Sequence, residues 1–326
     1  MFISKLSEFI NKQDPYGQFR VNAFQTLVVL VCLFFVNFIF SPPHMQDLIA
    51  ILSFGFIGSA SMISYNKRQY MVAAFCIVGM IYAILINLVR EYNLYTVLMV
   101  GFGMSSLFWL SRKIPMLAGM AAMVNMLGIT MVKIKVGGNS YVYFNYIVLI
   151  CFYLLLALAF MNIFPRIYYF RIWLRAYYLA LGEFEIRFRA LAHHDYTQAE
   201  APLTHFIRLN SFTRELGYKE FGFSARRIDI ILSQLCNYLI ASRNNVVTLN
   251  SSGYLLLADA CKELQAGISD NKSLNLLTQQ FQDYNHASYE SINTNLNKDL
   301  YQQVPMHIIS AFAKLTTLWN QLCLKM

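Results

Sequence analysis

Three residues that can carry protons lie near the ends of long apolar segments of this sequence. They are His44, Asp47 and Glu91. A carboxylate or an imidazole beside an apolar phase can exchange protons in the working pH range, because loss of water shifts its pKa. These residues therefore form a candidate rim for proton exchange, and ordinary solvated loop residues would produce the same pattern.

Five further polar residues are candidates for contact with a small anion. Asn125 lies inside an apolar segment, and the cations Lys133, Lys135, Arg171 and Arg175 lie near segment ends. Cations attract anions through their field, whereas a buried amide more often forms a hydrogen bond between helices. Other amides in or near apolar segments are Asn22, Gln25, Asn37, Asn87, Asn145 and Asn162.

The sequence lacks the motifs of nucleotide-driven or hydrolytic chemistry. Gly101 and Gly103 are not followed by the Lys-Ser/Thr pair of a phosphate-binding loop. His193 and His194 are adjacent, so on a helix they would point about 100° apart and could not easily share a metal. No serine or cysteine has partners at a known catalytic spacing. We therefore expect no enzymatic activity, cofactor or resident metal.

Six apolar segments predict the elements that hold these residues. They lie at about 21–40, 46–65, 70–89, 94–111, 114–132 and 141–164. A helix of about 20 apolar residues crosses a bilayer, and a charge at its centre costs about 3 kcal/mol. None of the six segments has a charged residue in its interior. The predicted fold is all-α, with a six-helix transmembrane bundle over 21–164.

Basic residues between the segments predict the orientation. Ten lysines and arginines fall on the side of the N-terminus, and only Arg90, Lys133 and Lys135 fall on the other side. Cytoplasmic loops carry the excess of such residues, so both ends of the chain are predicted to be cytoplasmic. Residues 1–20 form a cytoplasmic segment, in which 1–14 has the pattern of an amphipathic helix for the membrane interface or the protein's own surface. The basic residues follow this topology and need no nucleic-acid partner.

The remaining residues, 165–326, predict a soluble cytoplasmic helical domain. This half has 16 basic and 13 acidic residues, against 10 and 4 in residues 1–164. Helices are predicted at about 166–193, 202–216, 224–243, 252–266, 272–301 and 305–324. Gly217 and Gly267 stand where helices would end, and Glu185 can pair with Arg189 one turn later.

Two apolar stripes are expected to form the core of this domain. The first contains Ile228, Ile231, Leu232, Leu235 and Leu239, and the second contains Ile308, Ile309, Phe312, Leu315, Trp319 and Leu322. The six cysteines have no ligand-like or paired spacing, so free thiols are predicted.

The layout resembles the fusaric-acid-resistance (FUSC) or aromatic acid exporter family of bacterial inner-membrane proteins. The likeness consists of a short N-terminal helix ending near Arg20, the pair Pro42-Pro43, a basic turn 66–69 of sequence Asn-Lys-Arg-Gln, and Phe164-Pro165-Arg166 leading into an Arg/aromatic helix. Many members are double-length and have a glycine after the basic turn, where this chain has Met71-Val72-Ala73-Ala74.

The resemblance implies a multi-pass protein of the bacterial inner membrane that exports small organic acids or related toxic compounds. A single six-helix copy would form a homo-oligomer, and a periplasmic adaptor protein is an expected partner. Two alternatives stay open: a membrane-anchored scaffold or sensor whose helical domain binds a cytoplasmic partner, and a passive anion channel.

Overall fold

The structure is a computed structural model in which two compact units can be described. The described residues are 10, 12–40, 49, 65–89, 91–114, 118–134, 140–163, 167–216, 220–244, 249, 251–270, 272, 274 and 304–324. They are helical apart from turns and short connections, so the predicted all-α class is confirmed. Unit 1 covers Met1–Arg166 and unit 2 covers Ile167–Met326.

Unit 1 contains five described helices. They are α1 (Gln18–Phe40), α2 (Tyr65–Leu88), α3 (Asn93–Lys113), α4 (Ala118–Ile134) and α5 (Ser140–Ile163). Each overlaps one predicted apolar segment. The predicted segment 46–65 and most of the predicted amphipathic helix 1–14 lie outside the described residues.

Four helix pairs make most of the packing contacts among the described residues of unit 1. α2 packs against α4 and α5, α1 packs against α5, and α3 packs against α4. Fully buried aliphatic side chains at these contacts include Val29, Leu33, Val124 and Ile150. Dense apolar contacts of this kind fix the helices relative to one another.

Three helices in the described part of the chain are long and apolar enough to cross a membrane. They cover Gln18–Phe40, Arg68–Leu88 and Asn93–Lys113. The last turns of α1 expose several phenylalanine side chains, among them Phe35, which is 65% exposed, and Phe38, which is 82% exposed. Outward apolar faces of this size suit hydrocarbon better than water. At the end of α3, the Lys113 ammonium lies 4.2 Å from the Trp109 ring centroid, a pairing common where helices leave the bilayer.

Two glycines make room for one tyrosine between α3 and α4. A Cβ atom at Gly103 would lie 2.6 Å from the Tyr82 hydroxyl oxygen, and one at Gly128 would lie 2.6 Å from the Tyr82 ring. The hydroxyl donates to the Val100 carbonyl at 3.3 Å. The small residues at these two positions therefore serve close packing.

Unit 2 is built around its first helix. Its described helices are α6 (Ile167–Ala192), α7 (Tyr196–Glu200), α8 (Thr204–Glu215), α9 (Glu220–Arg243), α10 (Ser251–Asp270) and α11 (Met306–Cys323). α6 packs against α8 and α10, and α9 packs against α8 and α11. The predicted helix 272–301 lies outside the described residues.

The core of unit 2 combines an aromatic stack with the two predicted stripes. Phe170, Trp173 and Tyr177 stack along α6, and the Trp173 indole donates to the Thr213 hydroxyl at 2.9 Å. Every residue of the α9 and α11 stripes is buried. Arg189 pairs with Glu185 at 3.0 Å, as predicted, and also with Asp259 at 2.7 Å.

Two local predictions are wrong. The residues at 66–69 do not form a turn, because α2 already begins at Tyr65. Gly267 does not end a helix, because α10 continues to Asp270 and Gly267 is buried. A Cβ atom at Gly267 would lie 2.7 Å from the Leu274 side chain, so this glycine permits a close approach of the following chain. As predicted, none of the six cysteines, all of which lie in the described part of the chain, forms a disulfide.

Candidate functional site

A fully buried arginine lies in the first turn of α2. Arg68 has 0% of its surface exposed. Its guanidinium donates to the Asn22 oxygen at 3.2 Å, to the Gln25 oxygen at 2.5 Å and to the Thr26 hydroxyl at 2.8 Å. We call these four residues the Arg68 cluster. Arginine presents five N–H donors and stays charged in proteins, so burying it requires acceptors placed around it.

The helical geometry of α1 brings the three acceptors to one side. Asn22, Gln25 and Thr26 are spaced three and one residues apart, and positions i, i+3 and i+4 share a helix face. All three are buried, with exposures of 1%, 0% and 5%. Their spacing therefore places three oxygen atoms around the arginine of the neighbouring helix.

Gln25 links the Arg68 cluster to a third helix. Its amide nitrogen donates to the Met161 carbonyl of α5 at 3.2 Å. Met161 lies in the last turn of α5, where the carbonyls have no partner within their own helix. The starts of α1 and α2 and the end of α5 are therefore held at the same end of unit 1.

Three acceptors of the Arg68 guanidinium are neutral side chains on α1. The side-chain oxygens of Asn22, Gln25 and Thr26 satisfy its N–H groups by hydrogen bonds. An ionisable residue in an apolar, membrane-suited helix is costly, and such residues commonly mark ion or substrate pathways. The Arg68 cluster is therefore the candidate site of unit 1.

The sequence analysis placed Arg68 in a basic turn and did not consider it as a site residue. The one signal available in the sequence is the polar face formed by Asn22, Gln25 and Thr26 at the start of an otherwise apolar helix. The prediction that Asn22 and Gln25 hydrogen-bond between helices is confirmed.

The candidate residues of unit 1 are dispersed. Glu91 is exposed in the turn before α3, and Lys133 belongs to the last turn of α4. Asn125 is half-buried on α4, and no described residue donates to its buried side-chain oxygen. His44, Asp47 and Lys135 lie outside the described residues.

The two arginine candidates on α6 belong to unit 2. Arg171 and Arg175 are exposed one turn apart. The Arg171 guanidinium carbon lies 5.8 Å from the Tyr168 ring centroid, which restricts the side chain. Because the two arginines are four residues apart, they form one basic stripe on α6.

Comparison with known proteins gives no family assignment. No family model matches this sequence. No curated protein shows significant similarity to it.

Proposed function

We propose that this chain is a membrane transporter that exports small organic anions, including aromatic acids. The observation that carries the proposal is the Arg68 cluster, a buried arginine that is hydrogen-bonded to Asn22, Gln25 and Thr26 in a helix suited to a membrane. A low-dielectric environment strengthens the attraction between such a cation and an anion. The choice of aromatic acids rests on the resemblance to the FUSC exporters.

The charge balance of the sequence supports an anionic cargo. Residues 1–164 contain 10 basic and 4 acidic residues. One of these acids, Asp14, is already paired with Arg20 at 3.5 Å. A net positive apolar unit raises the local concentration of anions and disfavours cations.

The proposed architecture has six transmembrane helices, cytoplasmic ends and a cytoplasmic helical domain in the bacterial inner membrane. The Arg68 cluster supports this topology, because it joins the start of α1, the start of α2 and the end of α5. In a six-helix path these three ends all fall on the cytoplasmic side. A homo-oligomer and a periplasmic adaptor protein complete the proposed assembly.

Reporter fusions test the orientation. A reporter joined after Lys135 should be active only in the periplasm, and one joined after Met326 only in the cytoplasm. The opposite location at either position would refute the topology.

Transport is tested with the purified chain in liposomes loaded with labelled benzoate. We expect efflux above that of protein-free liposomes, and a loss of about tenfold or more in Arg68→Gln because one buried charge-assisted contact is worth about 1.5–3 kcal/mol. Arg112→Gln, an exposed cation at the end of α3, is the matched control. Equal flux with and without protein would rule out the transporter and favour a scaffold or sensor.

The energy source of the proposed transporter is tested at the candidate rim. The triple variant His44→Ala, Asp47→Asn and Glu91→Gln should abolish the acceleration of benzoate efflux by a proton gradient. Full retention of that acceleration would remove the rim as the proton site. Benzoate flux that never responds to a gradient would indicate a passive anion channel.

A further inference from the structure

A groove on unit 2 lies between two helices whose buried faces pack together. It has a volume of about 460 Å³, which is within the range of small-molecule sites, about 300–1,000 Å³. α9 contributes Arg227, Ile231 and Gln234, and α11 contributes Lys314, Leu318 and Gln321. We call it the α9–α11 groove.

The two walls of the α9–α11 groove carry the same pattern of residues. On each helix a cation is followed four residues later by an aliphatic residue and seven residues later by a glutamine. These spacings repeat on one helix face. The aliphatic members, Ile231 and Leu318, are each only 7% exposed and form the floor.

The direction of the helices places one cation at each end of the groove. The Tyr238 and His307 rings are 6.1 Å apart, so the end of α9 lies beside the start of α11. The two helices are therefore antiparallel, with Arg227 near Gln321 and Lys314 near Gln234. Seven residues of helix span about 10 Å, which sets the length of the floor between the two polar ends.

One of the two cations is held in place by an aromatic ring. The Arg227 guanidinium carbon lies 4.3 Å from the ring centroid of Phe223, one turn earlier on α9. A cation–π contact of this kind limits the rotamers of an exposed arginine. Less side-chain entropy is then lost when a carboxylate binds to it.

We propose that the α9–α11 groove binds a small amphipathic carboxylate, with an aromatic or aliphatic body on Ile231 and Leu318 and its charge at Arg227 or Lys314. Among the described residues that line the groove there are two cations and no acid, so an anion is favoured over a neutral or cationic ligand. The apolar floor excludes a fully hydrated inorganic anion as the best ligand. This inference does not depend on transport by unit 1.

The test measures binding of 2-naphthoate to the full-length chain in nanodiscs by equilibrium dialysis, with empty nanodiscs subtracted. We expect saturable binding with a Kd on the order of 0.1–1 mM, since a ligand of this size gains about 0.3–0.4 kcal/mol per heavy atom. The neutral analogue 2-naphthamide should bind about tenfold more weakly, because it makes no charge contact.

Charge variants locate the site. Arg227→Gln and Lys314→Gln should each weaken 2-naphthoate binding about threefold to fivefold, and the double variant roughly tenfold. The matched control is Arg208→Gln with Lys262→Gln, which removes two exposed cations outside the groove. An equal loss in the control, or no loss in the groove variant, would overturn the proposal.

The mass of the oligomer distinguishes ligand binding in the α9–α11 groove from self-association through it. If the groove instead joins two copies of the chain, the Arg227→Gln and Lys314→Gln double variant changes the oligomer mass and 2-naphthoate does not bind saturably. That result overturns the proposal. An unchanged mass together with weakened 2-naphthoate binding supports it, whatever the benzoate efflux assay shows for unit 1.

Discussion

The carboxylate of Glu183, on α6, accepts a hydrogen bond from the Thr204 hydroxyl at 2.8 Å, at the first residue of α8. It also accepts the backbone N–H groups of His205 at 2.8 Å and Phe206 at 3.1 Å. The residue before α8, Leu203, supplies no side-chain cap. A buried carboxylate from another helix therefore performs the N-terminal capping of α8, where negative charge is favoured.

Replacement of this cap should destabilise unit 2. Glu183→Gln removes the negative charge and should lower the free energy of unfolding by about 1–2 kcal/mol. The measurement is thermal unfolding of the full-length chain in detergent, followed by tryptophan fluorescence in a Trp109→Phe background. The remaining tryptophans, Trp173 and Trp319, are fully buried in unit 2.

A carboxylate elsewhere on the surface provides the control for the Glu183 cap. Glu200→Gln, at the exposed end of α7, removes the same charge without touching a helix start and should change stability by less than about 0.5 kcal/mol. Equal effects of the two substitutions would show that Glu183 does not act as a cap.

A second carboxylate should make the stability of unit 2 depend on pH. Burial raises the pKa of Asp229 from 3.8 to about 6, although the nearby Arg214 opposes the change. With its amide nitrogen turned toward α9, Asn210 donates to the same carboxylate. The folded state binds the proton more tightly than the unfolded state. Proton binding to Asp229 therefore stabilises the folded state fully below pH 4, and this stabilisation is lost as the pH rises through about 6.

Asp229→Asn should remove this loss. We expect the variant to be more stable than the parent by about 1 kcal/mol at pH 7.5, since a shift of about two units is worth about 3 kcal/mol before solvent screening of a half-buried group. The difference should vanish near pH 4. Thermal unfolding from pH 4 to 8 measures it, and Asp270→Asn, an exposed acid, should give no pH-dependent difference. A constant offset at every pH would contradict the assignment.

Packing around Tyr82 gives a prediction for unit 1. Gly103→Ala places a methyl group within 2.7 Å of the Tyr82 ring. The ring already lies so close to the backbone of Gly128 that a Cβ atom there would be 2.6 Å from it, so it has little room to move aside, and we expect a loss of about 1–3 kcal/mol. Unfolding of the full-length chain in detergent, followed by near-ultraviolet circular dichroism, provides the measurement.

A neighbouring glycine on α3 serves as the matched control for Gly103. Nothing lies within 4 Å of a Cβ atom at Gly101, so Gly101→Ala should be neutral or stabilising by up to about 1 kcal/mol through helix propensity. Tyr82→Leu should restore stability in the Gly103→Ala background. If Gly101→Ala is as damaging as Gly103→Ala, the packing explanation is wrong.

Local patterns predicted much of the fold. The α9 and α11 stripes and the pair of Glu185 with Arg189 are visible in the sequence because their members lie three or four residues apart. Those elements occur close to their predicted bounds, and the stripes are buried.

Contacts between distant residues explain what the sequence did not predict. Arg68 and Asn22 are 46 residues apart, and Glu183 and Phe206 are 23 apart. The partners of these residues were not predicted, because nothing local in the sequence indicates which side chain of another helix they contact. The burial of Gly267 follows in the same way from Leu274, which approaches it from outside α10.

In the Arg68 cluster, a negative charge can be placed beside the arginine while the hydrogen bond from Arg68 to position 22 is kept. Asn22→Asp keeps the oxygen that accepts from Arg68 at 3.2 Å and adds a negative charge beside it. If the buried positive charge attracts the transported anion, benzoate efflux should fall about tenfold or more, while the melting temperature stays the same or rises.

Thr26→Val tests the hydrogen bond instead of the charge. It removes the hydroxyl that accepts from Arg68 at 2.8 Å and leaves every charge in place. It should cost about 1–2 kcal/mol of stability, because a buried N–H group loses its acceptor, and efflux per folded protein should stay within about twofold of the parent. Benzoate efflux and melting temperature, measured on the same preparations, separate charge from structure. If efflux follows stability in both variants, Arg68 only holds α1 and α2 together and the anion passes elsewhere.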